Sequence, residues 1–121
     1  MRPILRLLQQ NQFVAIVVDR PVAEHEGTEV TFFGRKTYVP SGPAALALKS
    51  GAAIVPGFVW YGQRNELNIR AFPPIFPQER KGEERTSEIS RLTQLIYDTL
   101  EEMIREWPTQ WYMFRQFWPP E

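Results

Sequence analysis

The sequence predicts an α/β unit, on three observations. Phe13, Val14, Ala15, Ile16, Val17 and Val18 form a continuous apolar run, and residues 52–61 form a second one broken at Pro56 and Gly57. From Thr86 to Trp107 apolar residues recur at every third and fourth position. Short apolar runs bounded by turn residues read as strands, whereas a sustained three-to-four spacing reads as an amphipathic helix. A chain of 121 residues buries roughly two-thirds of its unfolded surface on folding, enough for one core and not for two.

Each element follows in order. Ile4, Leu5, Leu7 and Leu8 fall on one side of a short helical turn. The 13–18 run is apolar on both faces, which predicts a buried central strand, parallel to its neighbours and covered by helices on both sides. Asp19 then sits at the carboxyl end of that strand, where open α/β sheets gather ligands and catalytic groups. Residues 22–28 are a polar loop. Glu29, Val30, Thr31, Phe32 and Phe33 make a short alternating, hairpin-like stretch closed by Gly34.

Ser41 suits the N-cap of an Ala-rich helix, Pro43 its first turn and Gly51 its C′ position. The 52–61 strand carries a bulge or an edge at Pro56-Gly57. Residues 67–72 make a third strand, joined to it by a hairpin loop at 62–65. Pro73, Pro74 and Pro77 keep the next segment extended, because each disfavours helix in its predecessor.

A helix of roughly 20 residues then runs from Thr86 or Ser87 to a stop at Pro108. Its core face is Ile89, Leu92, Leu95, Ile96, Leu100, Met103, Ile104 and Trp107. Three of the 4 Trp fall between Trp107 and Trp118, so the tail is too aromatic to lie free in solvent. It either packs on the long helix or, with Arg105 and Arg115, forms an interfacial belt where apolar medium meets headgroups.

Composition narrows the chemistry. With 14 Lys+Arg against 14 Asp+Glu there is no global field to draw nucleic acid, and no nucleic-acid partner is expected. Zero Cys and one His leave nothing from which to build a disulfide, a thiolate site or a metal cluster, so no metal and no cofactor is expected. No apolar run approaches the ~20 residues of a membrane-spanning helix. Met1, Arg2 and Pro3 do not open a signal peptide.

Three places could carry chemistry. Asp19 could orient an imidazole or act as an acid/base, or it could simply cap a turn or pair with Arg20. His25, the only imidazole, lies in a polar loop between Glu24 and Glu26 and reads as a solvated side chain. Between Phe32 and Pro43, backbone N–H groups at Gly34 and at the Gly42 helix start could hold an anion beside Arg35 or Lys36. The competing reading there is simple turn chemistry. No Gly-x-Ser-x-Gly elbow is present, which disfavours a self-sufficient hydrolase.

The ordered series is more specific than any one motif. Asp19-Arg20-Pro21 is followed by Phe32-Phe33-Gly34-Arg35, then by Gly42-Pro43-Ala44-Ala45-Leu46, Ser50-Gly51-Ala52, and Trp107-Pro108 with Gln110-Trp111. Together these resemble the C-terminal half of the lysophospholipid acyltransferase superfamily, in its branch of lipid A biosynthesis (lauroyl/myristoyl) and phosphatidylinositol mannoside acyltransferases. The resemblance implies a partial mixed sheet flanked by helices, with residues 1–121 a single unit belonging to a larger domain. It implies acyl transfer from acyl carrier protein or acyl-CoA to a glycolipid hydroxyl, at the inner face of the cytoplasmic membrane.

In the resembled family a His-x4-Asp/Glu motif supplies the general base. Four residues after His25 the next position is Val30, so the motif is absent and a fragment, inactive alone, is expected. By position Asp19 matches the acidic residue near that base, whereas Arg20, Phe33, Gly34, Arg35 and Gly42 match the substrate-lining region. The alternative from another class is a non-catalytic module that binds lipid or protein through its aromatic tail.

Overall fold

Alternation of apolar and polar side chains builds two hairpins, and both lean on one long helix. The computed structural model describes residues 2–121. Its elements are α1 (Arg2–Gln9), β1 (Thr28–Phe32), β2 (Arg35–Val39), α2 (Gly42–Ser50), β3 (Gly57–Tyr61), β4 (Leu67–Ala71) and α3 (Glu83–Glu106), with short 3-10 turns at Glu24–Glu26 and Pro108–Gln110. β1 pairs antiparallel with β2, from Thr28 opposite Val39 to Phe32 opposite Arg35. β3 pairs antiparallel with β4, from Gly57 opposite Ala71 to Tyr61 opposite Leu67. The class is α/β, as expected.

In the first hairpin Val30, Phe32, Thr37 and Val39 are buried, the inward half of the period-two pattern. They pack on α3, whose own buried residues include Leu92, Ile96, Tyr97, Met103 and Ile104. Phe32 is the hub of this core. Tyr97, Trp111, Phe117 and Trp118 all place their ring centroids within 5.8 Å of its own. The pairs with Tyr97 and Trp111 are edge-on, an arrangement the ring quadrupole favours, whereas Phe117 is tilted and Trp118 stacked. The tail therefore divides: Trp111, Phe117 and Trp118 belong to the core, while Phe114 is 92% exposed.

α2 begins and ends where the turn residues direct it. Pro43 occupies its first turn, and Gly51 takes φ 75° while its N–H donates to the Ala47 carbonyl. Ser41 is at the N-cap position, although its side chain makes no capping hydrogen bond. α3 starts at Glu83, a few residues before the first apolar position, because Glu83 and Glu84 suit the positive end of the helix dipole. The β3–β4 ribbon continues past the Pro56-Gly57 break through reciprocal bonds between Ile54 and Ile75, at 2.9 and 2.7 Å.

The 13–18 run differs from expectation. It is extended, but it pairs with no strand, and residues 13–17 make no backbone–backbone hydrogen bond among the described residues. Nor is it buried: Phe13 is 102% and Val17 77% exposed. The physical reason lies in the neighbours. Gln94 on α3 occupies the outer edge of β1, accepting from Thr31 N at 2.9 Å and donating to Thr31 O at 2.8 Å. Gln110 does the same to Tyr61 of β3, at 3.0 and 3.2 Å. The outer edges of β1 and β3 are thus met in part by side chains, the run pairs with neither hairpin, and a parallel central strand does not form.

Candidate active site

The carboxyl end of the unpaired run is where the structure brings chemistry-bearing groups together. Val18 is half-buried against the core, and its carbonyl accepts hydrogen bonds from the Tyr97 hydroxyl and, at 2.8 Å, from Arg20 N. The Arg20 bond closes a tight turn centred on Asp19. Burial pushes the Tyr97 hydroxyl above its ordinary pKa, and the nearby negative charge of Asp19 pushes the same way. Tyr97 therefore remains a protonated donor at neutral pH, tying the residue before Asp19 to the middle of α3.

Beneath the same segment lies a slot of about 120 Å³. Ile16, Val18, Ile54, Phe58, Leu100 and Met103 line it, among others. The one hydroxyl in its wall, Thr99, donates back to the Leu95 carbonyl at 2.9 Å, so no side chain of the wall presents a free polar group. A slot of this kind accepts hydrocarbon and rejects charge, because an unpartnered polar group inside it is costly.

The remaining expected site residues are spread along the first hairpin. Phe33 and Gly34 form its tip, both with positive φ, 52° and 74°. Phe33 N donates to Glu101 of α3 at 2.5 Å, and the Arg105 guanidinium lies 4.8 Å above the Phe33 ring. Arg35 follows the tip, donating to the Pro119 carbonyl at 3.4 Å and standing 3.7 Å from the Glu121 carboxylate. Lys36 pairs with Glu29 at 3.2 Å. The basic pair that the sequence offers to an anion thus has partners within the chain.

Gly42 opens α2 at the other end of the hairpin, beyond Val39. Val22 N meets the Tyr38 carbonyl at 2.9 Å, so the chain leaving Asp19 passes this base end. Four residues of strand, about 13 Å at ~3.3 Å each, separate Arg35 from Val39. No hydrogen bond or ion pair among the described residues joins Asp19 or Arg20 to Gly42, Phe33, Gly34 or Arg35. His25 is exposed, 3.9 Å from Glu26, in a turn that lies beside β2, and its side chain is that of a solvated loop histidine.

Two functional-looking groups escaped the sequence reading. Tyr97 falls in the apolar stripe of α3, four residues after Thr93, and its polar tip within that stripe was the available signal. Glu88 is only 4% exposed. Its carboxylate accepts from Arg91 at 2.6 and 2.8 Å and from Gln78 N at 2.5 Å. The hydrogen-bonded Arg91 guanidinium, helped by Gln78 N, holds this carboxyl down at about 2 against the desolvation that would raise it. Glu88 fixes the 73–78 linker to α3 and takes no part in the site.

Comparison with known proteins adds an independent line. Residues 1–119 match the model of a family described as bacterial lipid A biosynthesis acyltransferase. The chain is 27% identical over 111 residues to a phosphatidylinositol mannoside acyltransferase of Mycolicibacterium smegmatis, covering 92% of this chain and 34% of that protein. It is 29% identical over 111 residues to a phosphatidylinositol mannoside acyltransferase of Mycobacterium tuberculosis, covering 92% of this chain and 32% of that protein. The chain spans about a third of the length of the curated relatives it matches.

Proposed function

Because this chain belongs to the bacterial lipid A biosynthesis acyltransferase family, we propose that it is the C-terminal portion of an acyltransferase that esterifies a glycolipid. The donor is acyl carrier protein or acyl-CoA, the acceptor a hydroxyl of a lipid A-type lipid or phosphatidylinositol mannoside, and the location the inner face of the cytoplasmic membrane. The observation that carries this reading is the family match over residues 1–119. The apolar slot beside Val18 supports it, since its lining suits part of an acyl chain.

In this reading a histidine from the portion of the family's length not spanned here takes the proton of the acceptor hydroxyl. The oxygen attacks the thioester carbonyl, a C–O bond forms, the C–S bond breaks, and the thiolate leaves with the proton. Asp19 orients that imidazole and stabilises its charged form. Arg20, Phe33, Gly34, Arg35 and the start of α2 at Gly42 line the substrate.

The test is acyl transfer from labelled acyl-CoA to glycolipid. In a chain extended to family length, Asp19→Asn lowers kcat by about 10²-fold or more with the fold intact, and the 121-residue chain is inactive alone. Turnover by the isolated chain, indifferent to His25→Ala and abolished by Asp19→Ala, would put the general base at Asp19 and overturn this assignment.

A second reading, a non-catalytic module binding lipid or protein, draws on the outward aromatic side chains Tyr112 and Phe114, 64% and 92% exposed. It expects vesicle co-sedimentation that Phe114→Ala abolishes, with no acyl transfer at family length.

A further inference from the structure

The segment that carries Asp19 enters and leaves its turn with little to hold it. Residues 13–17 join no ladder among the described residues, and the chain regains a distant backbone partner only at Val22, whose N–H donates to the Tyr38 carbonyl. Between Phe13 and Pro21 a single hydrogen bond reaches another part of the chain among the described residues: the Tyr97 hydroxyl donates to the Val18 carbonyl. The Arg20 N–H donates to the same carbonyl at 2.8 Å, closing the turn centred on Asp19. A backbone carbonyl has two lone pairs. One bond to Val18 therefore shapes the turn, and the other fixes it to α3.

Tyr97 is suited to the second task. It is 1% exposed, and its ring meets Phe32 edge-on at 5.6 Å, so core packing aims the hydroxyl. Burial and the negative charge of Asp19 both favour the protonated phenol, which keeps the donor in place at neutral pH. One turn further along α3, Glu101 accepts from Phe33 N at 2.5 Å, and one turn back Gln94 meets Thr31. Positions 94, 97 and 101 share a helix face. The anchors for Val18 and Phe33 are four residues apart, about 6 Å along the axis. One rigid helix thus references both the Asp19 turn and the tip of the first hairpin.

We propose that Tyr97 is a positioning residue for Asp19: its hydroxyl, through the Val18 carbonyl, holds the carboxylate where it orients the general base. What Asp19 does rests on the acyl-transfer reading, whereas what holds it rests on the geometry alone. A ring needed only for packing is replaced by phenylalanine without effect on turnover. A hydroxyl that fixes a catalytic carboxylate is not, because a misplacement of about 1 Å costs up to about 10²-fold in rate.

Two measurements test this role. In the 121-residue chain, amide hydrogen exchange at Arg20 reports on the turn without any need for turnover. Tyr97→Phe speeds that exchange about 10-fold, the loss of one hydrogen bond, while the amides of α2 exchange as before. In a chain extended to family length, acyl transfer from labelled acyl-CoA is followed against pH. Tyr97→Phe lowers kcat about 10-fold with KM within about 2-fold, and adds nothing further when combined with Asp19→Asn. It also moves the acid limb of the profile to lower pH, as Asp19→Asn does, because a carboxylate held beside an imidazole raises its pKa and a loosened one raises it less. Unchanged exchange at Arg20 overturns the proposal whatever the enzyme does. So does a rate loss that leaves the acid limb in place or is additive with Asp19→Asn, the mark of a purely structural effect. A native rate and profile in Tyr97→Phe with Asp19→Asn impaired removes the positioning role alone, whereas an unimpaired Asp19→Asn removes the catalytic assignment of Asp19 and the proposal with it.

Discussion

Phe33 and Gly34 close the first hairpin with two successive residues at positive φ, the geometry of a two-residue turn whose twist matches the strands. Glycine takes this conformation freely, whereas a side chain there costs roughly 1–2 kcal/mol. Phe33 tolerates it because Glu101 holds its N–H, Arg105 covers its ring, and its centroid lies 4.8 Å from that of Phe32. At Gly34 an added Cβ would meet nothing within 4 Å. Gly34→Ala is therefore a backbone change only, and it lowers the unfolding free energy by about 1–2 kcal/mol with an unchanged m-value in urea. Glu88 makes a separate prediction. Its carboxyl is held at about 2 in the fold, below the ~4.3 of an unfolded chain. The stability it contributes is complete above pH ~4.3 and is lost as pH falls through the folded value. Thermal melts between pH 5 and 2 show a steeper fall for the native chain than for Glu88→Gln, which cannot titrate.

At the scale of elements, α3 performs two tasks that its apolar spacing does not announce. Its apolar face packs on the first hairpin, and its polar flank, through Gln94 and Glu101, meets the backbone of Thr31 and Phe33. An open strand edge invites pairing with other chains, and here side chains fill it. The aromatic tail settles by the same mixture of packing and exposure. Trp111 sits 5.8 Å from Phe32 and 5.4 Å from Phe117, although its buried Nε1–H has no partner among the described residues. Trp111→Ala therefore costs about 3–5 kcal/mol by guanidinium denaturation. Trp111→Phe costs less, because it also removes the orphaned donor. Phe114→Ala stays within about 0.5 kcal/mol, as its ring lies in solvent.

Taken whole, the molecule carries more apolar surface than its core absorbs. Phe13, Val17, Val59, Leu67 and Ile69 are each more than half exposed, and the backbone of residues 13–17 joins no ladder among the described residues. Such a surface is an association site. Sedimentation of the chain at tens of micromolar shows self-association, which Phe13→Lys with Val17→Lys suppresses; a monomer with native residues at both positions is the contrary result. Residues whose neighbours lie close in the chain were legible in advance. Pro43 and Gly51 bound α2, Gly34 closed a hairpin, Pro56-Gly57 broke a strand, and the three-to-four spacing marked α3, because caps, turns and periodicity are local physics. The ordered motifs from Asp19 to Trp111 likewise identified the family. What only the tertiary structure decided depends on partners distant in sequence. Whether residues 13–18 are a central strand rests on pairing with a ladder edge distant in sequence, and in the fold glutamines of α3 and of the turn after it meet the edges of β1 and β3 instead. Which aromatic residues of the tail are core rests on the place of Phe32, and the tie between Tyr97 and Val18, the residue before Asp19, rests on a hydrogen bond across 79 residues. A sequence fixes the propensity of each segment locally, but burial and pairing are properties of two surfaces, and only folding brings the second one into place.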